Sequence, residues 1–434
     1  MDTVNSGDTA WLLVSCALVL LMTPALALFY GGMVRRKNVL STIMHSLIAI
    51  PVLSIKWSLV GYTLAFGTSK YGLIGGLDFV GLRGLDSSVH GTVPTLAFVA
   101  FQMMFAVITP ALISGAFAER MKFGSYVAFI LLWSTLVYDP VAHWVWAEGG
   151  WLAKLGAIDF AGGTVVHLTA GVSALVCAVV LGKRHGYPQR KALPHNLPMT
   201  LTGAALLWFG WFGFNAGSAL TSGALAALAF VTTQLGAAGG AIGWLVVETM
   251  HRGKATALGI ASGLVAGLVA ITPAAGFVAP WAAAIIGVAA GGICYGAVVK
   301  KDRWGYDDSL DAFGVHGVGG LVGALLTGAF AQKSLNDGGA DGALFGNPGQ
   351  LGVQLIACVA AGLYAAVMTW GILRVLHATI GLRVSESVER EGLDAIIHGE
   401  EGYALSGPSA AGTEDEPESS GPTAIPARTT AQAS

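Results

Sequence analysis

Eleven long apolar runs constrain the fold of this sequence more than any other feature. A helix needs about 20 apolar residues to cross a bilayer, and breaking the chain at its polar clusters leaves runs of about that length. The runs are residues 10–32, 39–66, 92–118, 124–145, 160–182, 197–219, 224–248, 255–273, 280–299, 310–331 and 350–380. Because only 11% of the residues are charged and 54% are hydrophobic, a soluble fold is excluded. We predict an all-α polytopic membrane protein with eleven transmembrane helices.

The positive charges of the short connections predict the orientation of the chain, because Lys and Arg concentrate on the cytoplasmic side. Connections after odd-numbered runs hold fourteen and the alternate connections hold four. The fourteen are Arg35, Arg36, Lys37, Arg120, Lys122, Lys183, Arg184, Arg190, Lys191, Arg252, Lys254, Lys300, Lys301 and Arg303; the four are Lys70, Arg83, Lys154 and Lys333. The N-terminus is therefore predicted outside and the C-terminus in the cytoplasm. The first ten residues lack Lys and Arg, which favours a retained helix over a secretory signal.

Composition divides the chain into three parts. Residues 1–380 hold all the apolar runs and form the predicted membrane domain. Residues 381–403 are polar and form a predicted cytoplasmic tail, whose regulatory role is implied by the family resemblance described below. Residues 404–434 are rich in Ser, Pro, Thr, Ala and Glu, a composition typical of disordered, low-complexity segments.

The chain also contains a faint internal repeat. Phe29–Gly32, at the end of the first run, is similar to Phe214–Gly217 at the end of the sixth, and Val166-His167 is similar to Val315-His316. Tandem repeats of five helices must have opposite topologies, and inverted repeats place transport sites between their halves, near the membrane midplane. We predict a five-plus-five inverted repeat that brings the two histidines face to face at a central pore.

Ionisable residues inside spanning segments are costly and are candidates for function. They are His45, Lys56, Asp139, Asp159, His167 and His316. None of the histidines shows the i, i+4 partner of a metal-binding helix, so we predict no metal and no cofactor. Lys56 has no evident partner, and two hypotheses remain open for it: extension to the membrane surface, or pairing with an acid of a neighbouring subunit.

Aromatic residues cluster on three of the predicted helices, in Phe101–Phe105, Trp144–Trp146 and Trp208–Phe214. Trp146 and the end of helix six lie on the predicted outer side. An aromatic face there could bind a small cation with an interaction free energy of about 0.5–2 kcal/mol.

These segments together resemble the family of ammonium transporters, methylammonium permeases and Rhesus proteins. The similar segments are Asp159–His167, Phe29–Gly32, Gly61–Gly67, Phe101–Phe105, Trp211–Ser218, Thr272–Ala274 and Asp311–Gly317. The resemblance covers about residues 8 to 403. Because Rhesus members typically lack the Trp and Ser found here at 146 and 218, the chain is most similar to the bacterial ammonium transporter branch.

The resemblance implies a homotrimer in the cell membrane, with a pore in each subunit, and it assigns roles to individual residues. It implies an outer recruitment site at Trp146, Phe105, Ser218 and Asp159, and a gate at Phe105 and Phe214. The two pore histidines are His167 and His316. The implied pore-adjacent positions are Gln102, Trp211 and Thr272, of which Gln102 lies in the outer vestibule. Two interpretations of Asp159 stay open. It caps helix five through the amides of Phe160 to Gly163, or its charge favours ammonium and assists deprotonation.

The implied function is ammonium transport for nitrogen assimilation, with ammonium, ammonia and methylammonium as substrates. Ammonium is recruited and deprotonated, and ammonia crosses the pore with or without the proton. Glu389–Asp394 and His398–Glu400 resemble the family's cytoplasmic tail, which implies a PII-class signalling protein as a partner. An ammonium sensor with little net transport remains the alternative.

Two other classes fit the sequence less well. Val60–Thr63 resembles the carbonyl filter of a potassium channel, but it lies inside a spanning run rather than in a re-entrant loop. No nucleophile elbow, P-loop or metal motif is present, so the sequence does not predict an enzyme.

Overall fold

The computed structural model describes residues 4–189 and 193–403. The segment 404–434, predicted to be disordered, lies outside them, as do Arg190 and Lys191 of the predicted inner connections. Each predicted run forms a helix. The helices are α1 (Ser6–Met33), α2 (Arg36–Phe66), α3 (Thr95–Ala116), α4 (residues 123–146), α5 (Gly163–Leu181), α6 (Leu197–Gly217), α7 (Ala224–Arg252), α8 (Ala257–Ile271), α9 (Pro280–Trp304), α10 (Phe313–Phe330) and α11 (Gly349–Thr379). The predicted all-α membrane fold is confirmed.

Several helices extend beyond or stop short of their predicted ends, and two of these differences are informative. Ten helices of the described chain are long and apolar enough to cross a membrane, whereas α8 has 15 residues and spans only about 22 Å at 1.5 Å per residue. In contrast, α9 continues to Trp304, so Lys300 and Lys301 lie on its last turns rather than in a connection. Basic residues at a helix C-terminus are favourable because they face the negative end of the helix dipole.

Short strands and helices connect the long helices. Between α2 and α3 lie two antiparallel hairpins, β1 (Ser69–Lys70) with β2 (Ile74–Gly75) and β3 (Val89–His90) with β4 (Val93–Pro94). A one-turn helix, Trp151–Leu155, follows α4, and α12 (Glu386–Glu391) lies in the tail. The end of the bundle that carries the hairpins is called the outer end below, and the end that carries the α1–α2 connection is called the inner end.

Four of the long helices contain a π-helical turn. These turns are Trp57–Gly61 in α2, Ser134–Tyr138 in α4, Gly163–Leu168 in α5 and Phe313–Gly317 in α10. A π-turn holds one residue more than an α-turn and often occurs at functional sites. The last two turns contain the two predicted pore histidines.

The predicted repeat appears in the local structure around those histidines. His167 and His316 each lie in a π-turn, and each follows an aspartate by eight residues. The two aspartates, Asp159 and Asp308, both accept hydrogen bonds from main-chain amides just after them. Between the repeats, α5 and α10 touch at the backbone, since a Cβ on Gly171 would lie 2.0 Å from the Gly317 nitrogen.

A network of buried charges holds the inner end together. Arg184 donates to Glu119 at 3.1 Å and to Asp307 at 2.8 Å, and Arg35 donates to Glu119 at 3.0 Å. Burial by itself would raise the pKa of Glu119, but Arg184 and Arg35 together lower it to about 2. Every carboxylate of this network therefore faces a guanidinium, and the network acts as a fixed structural element.

The tail packs against the inner end. Asp394 accepts from the main-chain amides of Leu40 and Ser41 at 2.9 and 2.8 Å, at the start of α2. The amide of Leu393 donates to Asn38 at 2.9 Å, and Arg383 donates to Glu389 at 2.6 Å. The described part of the tail is thus an ordered, hydrogen-bonded element of the fold.

Candidate functional site

A cavity of about 680 Å³ opens at the outer end of the bundle. Its wall is largely aromatic and includes four of the residues predicted for recruitment, gate and vestibule: Trp146, Phe105, Ser218 and Gln102. Tyr62, Phe66 and Phe98 belong to the same wall. The structure therefore brings residues from α3, α4 and α6, which are distant in sequence, into one vestibule.

Trp146 is held in one orientation at the base of this vestibule. Its indole Nε1 donates to the main-chain oxygen of Asp159 at 2.9 Å. The ring stands at 89° to that of Phe105, with 6.0 Å between centroids. Two aromatic surfaces set at a right angle form a corner in which a small cation can contact both.

Two oxygen acceptors lie in the same wall. The hydroxyl of Ser218 donates to the main-chain oxygen of Phe214 at 2.8 Å, which directs its hydrogen away and leaves its lone pairs to accept. The side-chain oxygen of Gln102 is buried and has no hydrogen-bond partner within residues 4–189 and 193–403. An ammonium ion, which only donates, would find acceptors here.

Phe105 and Phe214 close the floor of the vestibule. Their ring centroids are 4.2 Å apart with 32° between the planes, and each side chain is 1% exposed. The rings are tilted rather than parallel, but they contact each other over their faces.

The two histidines lie directly below the rings of Phe105 and Phe214. Their ring centroids are 5.3 Å apart and their planes differ by 19°, which confirms the prediction that they meet face to face. Phe214 stacks on His167 at 6.0 Å, so the gate and the histidines form one column of rings. Both ring nitrogens of His167, and Nδ1 of His316, are buried without a partner in the described chain.

The passage around the histidines is narrow and apolar. Its cavity has a volume of about 10 Å³, room for about one water-sized molecule. Apart from the two imidazoles and Trp211, the wall consists of aliphatic, thioether and phenyl side chains. Trp211 stacks on His167 at 5.4 Å, and its indole nitrogen donates to the Thr272 hydroxyl at 2.9 Å. Trp211 thus lies in the wall of this passage, and Thr272 fixes its ring.

Asp159 lies behind Trp146 rather than in the vestibule wall. Its carboxylate accepts from the amides of Gly162, Gly163, Thr164 and Val165 at 2.7–3.1 Å. The predicted bond from Phe160 is wrong, because that amide donates to the Pro273 oxygen. The chain makes a wide turn before α5, so the carboxylate faces the first turn of the helix. This geometry favours the capping interpretation.

Asp308 has the corresponding role at α10, and the sequence reasoning missed it. Its carboxylate accepts from the amides of Ala312 and Phe313 at 3.1 and 2.8 Å. The signal was present, since the spacing from this aspartate to His316 equals that from Asp159 to His167.

Both hypotheses for Lys56 are wrong. Its ammonium nitrogen lies 2.6 Å from a carboxylate oxygen of Asp139 in the same chain, and its side chain is only 6% exposed.

The remaining intramembrane candidate, His45, lies away from the passage, with its ring 4.5 Å from that of Tyr126. His143 was overlooked, although it is fully buried and both of its ring nitrogens are hydrogen-bonded.

Comparison with known proteins places this geometry in a family. Residues 10–403 match the model of the Ammonium Transporter Family. The chain is 51% identical to the ammonium transporter of Bacillus subtilis (strain 168) over 404 residues, which covers 92% of this chain and 99% of that protein. Relatives that are named transporters point to ammonium transport rather than to an enzyme.

Solved structures agree. The crystal structure of Saccharomyces cerevisiae Mep2 is 39% identical, with a TM-score of 0.82 and coverage of 88% of this chain and 91% of that one. A structure titled Sensor Amt Protein is 31% identical, with a TM-score of 0.83 and coverage of 90% and 98%. On sequence, fold and the extent of the match, this multi-span membrane protein belongs to the ammonium transporter family.

Proposed function

We propose that the chain recruits ammonium in the outer vestibule, removes a proton from it and conducts ammonia through the passage below the gate. One observation carries this proposal. The passage holds about one water-sized molecule, is lined mostly by apolar side chains and contains two imidazoles, three of whose four ring nitrogens lack a partner among the described residues.

The passage is unsuited to a bare cation. An isolated charge in a medium of low dielectric constant costs tens of kcal/mol before relaxation. Deprotonation costs about 1.4 kcal/mol for each pH unit between the surroundings and the pKa of the ion. Loss of the proton is therefore the cheaper way to cross.

The vestibule supplies recruitment. Trp146 and Phe105 offer aromatic faces and Ser218 offers an acceptor oxygen, a set that concentrates small cations. Potassium and sodium can visit this site, but neither has a proton to lose. Selectivity therefore arises at the gate and in the passage.

The histidines supply the hydrogen bonds that ammonia loses on leaving water. A neutral imidazole carries one N–H donor and one acceptor nitrogen, so the pair offers ammonia both kinds of partner along the column. If the same nitrogens accept and release the separated proton, transport is electrogenic. If they do not, the proton passes to water in the vestibule and ammonia crosses alone.

Proteoliposomes that contain the purified protein test this mechanism. Ammonium and methylammonium pulses should drive uptake, whereas potassium at the same concentration should not. Current recorded during the same pulses decides whether the proton follows. His167→Ala and Phe105→Ala serve as pore and gate variants. Potassium flux near the ammonium rate would overturn the mechanism.

The remaining expectations concern assembly. We propose a homotrimer in the cell membrane with the vestibule outside and the tail in the cytoplasm. We also propose that a PII-class protein binds the inner face. The ordered tail and the basic inner connections support the latter, because they offer a structured, charged surface.

Sensing is the second candidate, because one structural relative is titled a sensor. A sensor would keep the vestibule and show little flux. Ammonium binding that persists with negligible uptake would favour it over transport.

A further inference from the structure

An ion pair lies inside the membrane-spanning part of the bundle, apart from the pore. The ammonium nitrogen of Lys56 is 2.6 Å from Oδ2 of Asp139 and 2.9 Å from the Ser134 hydroxyl. The Asp139 side chain is fully buried. None of these residues lines the vestibule or the passage below the gate. Charged side chains inside the membrane are costly in free energy, so a buried ion pair there is a candidate for a functional role.

The pair is built between two π-helical turns. Lys56 directly precedes the turn Trp57–Gly61 in α2, and Asp139 directly follows the turn Ser134–Tyr138 in α4. Gly61 makes room for the cation, since a Cβ there would lie 3.0 Å from the Lys56 nitrogen. Both helices are therefore shaped locally around the same ammonium group.

From this point both helices run to the vestibule. In α2 the next segment, Tyr62–Phe66, contributes both of its terminal aromatic rings to the wall, and in α4 the segment Asp139–Trp146 ends at the recruitment tryptophan. A second link joins them farther out. His143 bonds the Ala65 oxygen and the Ser69 hydroxyl, each at 2.8 Å. The ion pair thus fixes the start of the segment that places Trp146.

We propose that Lys56 is a tethered alkylammonium ion in a cation site formed by Asp139 and Ser134, and that this site positions Trp146 for ammonium recruitment. The inference rests on the proposed role of Trp146. Lys56 and Asp139 are positioning residues, because neither touches the substrate path.

The chemistry of the site suggests a direct probe. Lys56→Ala removes three methylenes and the amine, which are the atoms of n-propylamine. The neutral amine enters through lipid and takes the proton of the Asp139 carboxyl. One O–H bond breaks, one N–H bond forms, and the alkylammonium–carboxylate pair is restored without change in net charge. The second carboxylate oxygen, Oδ1, lacks a partner in the described chain and offers another acceptor.

Methylammonium uptake by proteoliposomes gives the first readout. Lys56→Ala should raise the apparent KM about tenfold, as expected for residues coupled through direct contact, with Vmax within about twofold. Adding n-propylamine should return the KM to near that of the wild type measured in the same amine. Propanol, which lacks the charge, should not. Lys333→Ala, an exposed lysine outside both sites, is the matched control and should leave KM unchanged.

A second variant keeps the test decisive if the first one fails to assemble. Lys56→Met combined with Asp139→Leu removes both charges, so no lone charge is buried. This double variant should fold and show the raised KM, and adding n-propylamine should leave that KM unchanged. A wild-type KM in the assembled variants, or equal rescue of the double variant, would overturn the inference alone. Absence of wild-type uptake would overturn the proposed function and this inference together.

Discussion

Two buried polar clusters in this molecule differ in whether their polar groups are hydrogen-bonded. At the inner end, Glu119 and Asp307 accept from Arg184. In the passage below Phe105 and Phe214, three of the four ring nitrogens of His167 and His316 have no partner in the described chain. An unpaired buried polar group costs free energy that a paired one does not. The paired cluster therefore stabilises the fold. The nitrogens of the unpaired cluster are available to form hydrogen bonds with a transported molecule.

The largest effect is expected where the paired cluster is broken. Arg184→Ala leaves two carboxylates buried without their main partner, and breaking a buried pair costs about 3–5 kcal/mol. The free energy of unfolding should fall by about that amount, as measured by thermal denaturation in detergent. Arg252→Ala is the control, because its side chain is 60% exposed and its pair with Glu248 is worth under about 1 kcal/mol. Equal effects in the two variants would contradict the structural role of Arg184.

Acid should weaken the same cluster. The pKa of Glu119 is about 2 in the folded chain, against an ordinary value of 4.5. The carboxylate therefore contributes about 3 kcal/mol that is present above pH 4.5 and lost as the pH falls toward 2. Stability measured from pH 7 to pH 3 should stay level and then decline below about 4.5. Glu119→Gln should flatten that decline, and an unchanged slope in this variant would exclude Glu119 as its source.

The unpaired cluster should show the reverse behaviour. His167→Leu removes no protein hydrogen bond within the described chain, so the free energy of unfolding should change by less than about 1.5 kcal/mol. Ammonia conduction should nevertheless fall, because the column loses a hydrogen-bonding ring. Stability and uptake are measured on the same preparation. A loss of stability as large as that of Arg184→Ala would mean that the pore histidine holds the fold.

No effect is expected at the C-terminus. Deletion of residues 404–434 removes a low-complexity segment and keeps Tyr403, whose hydroxyl bonds His195 at 2.9 Å. Uptake by the truncated protein should equal that of the full chain. Reduced uptake would show that this segment takes part in transport.

The sequence was sufficient to predict the features that depend on a local pattern of residues. Each apolar run forms a helix, because hydropathy reports which segments lie in lipid. The meeting of His167 and His316 followed from a repeated motif, because the repeat relates the two positions. The resemblance to known transporters supplied four of the vestibule residues, Trp146, Phe105, Ser218 and Gln102, but it also placed Asp159 there, which lies outside the wall.

Contacts between helices could not be read in the same way. Lys56 and Asp139 are 83 positions apart, and their pairing depends on how α2 packs beside α4, which hydropathy does not report. The four π-helical turns were missed because the extra residue leaves no mark in an apolar sequence. The wide turn that changed the partners of Asp159 arises from tertiary contact, including the bond from Phe160 to the Pro273 oxygen.

The contact between Gly171 and Gly317 has a consequence for the speed of transport. The backbones of α5 and α10 already touch beside His316, so the two repeats cannot approach further there. A carrier that rocks its halves is limited to microsecond or millisecond steps, whereas side-chain rotations are intrinsically faster. In the proposed mechanism, we expect rotation of the Phe105 and Phe214 rings to open the way to the histidines without a rocking of the two repeats.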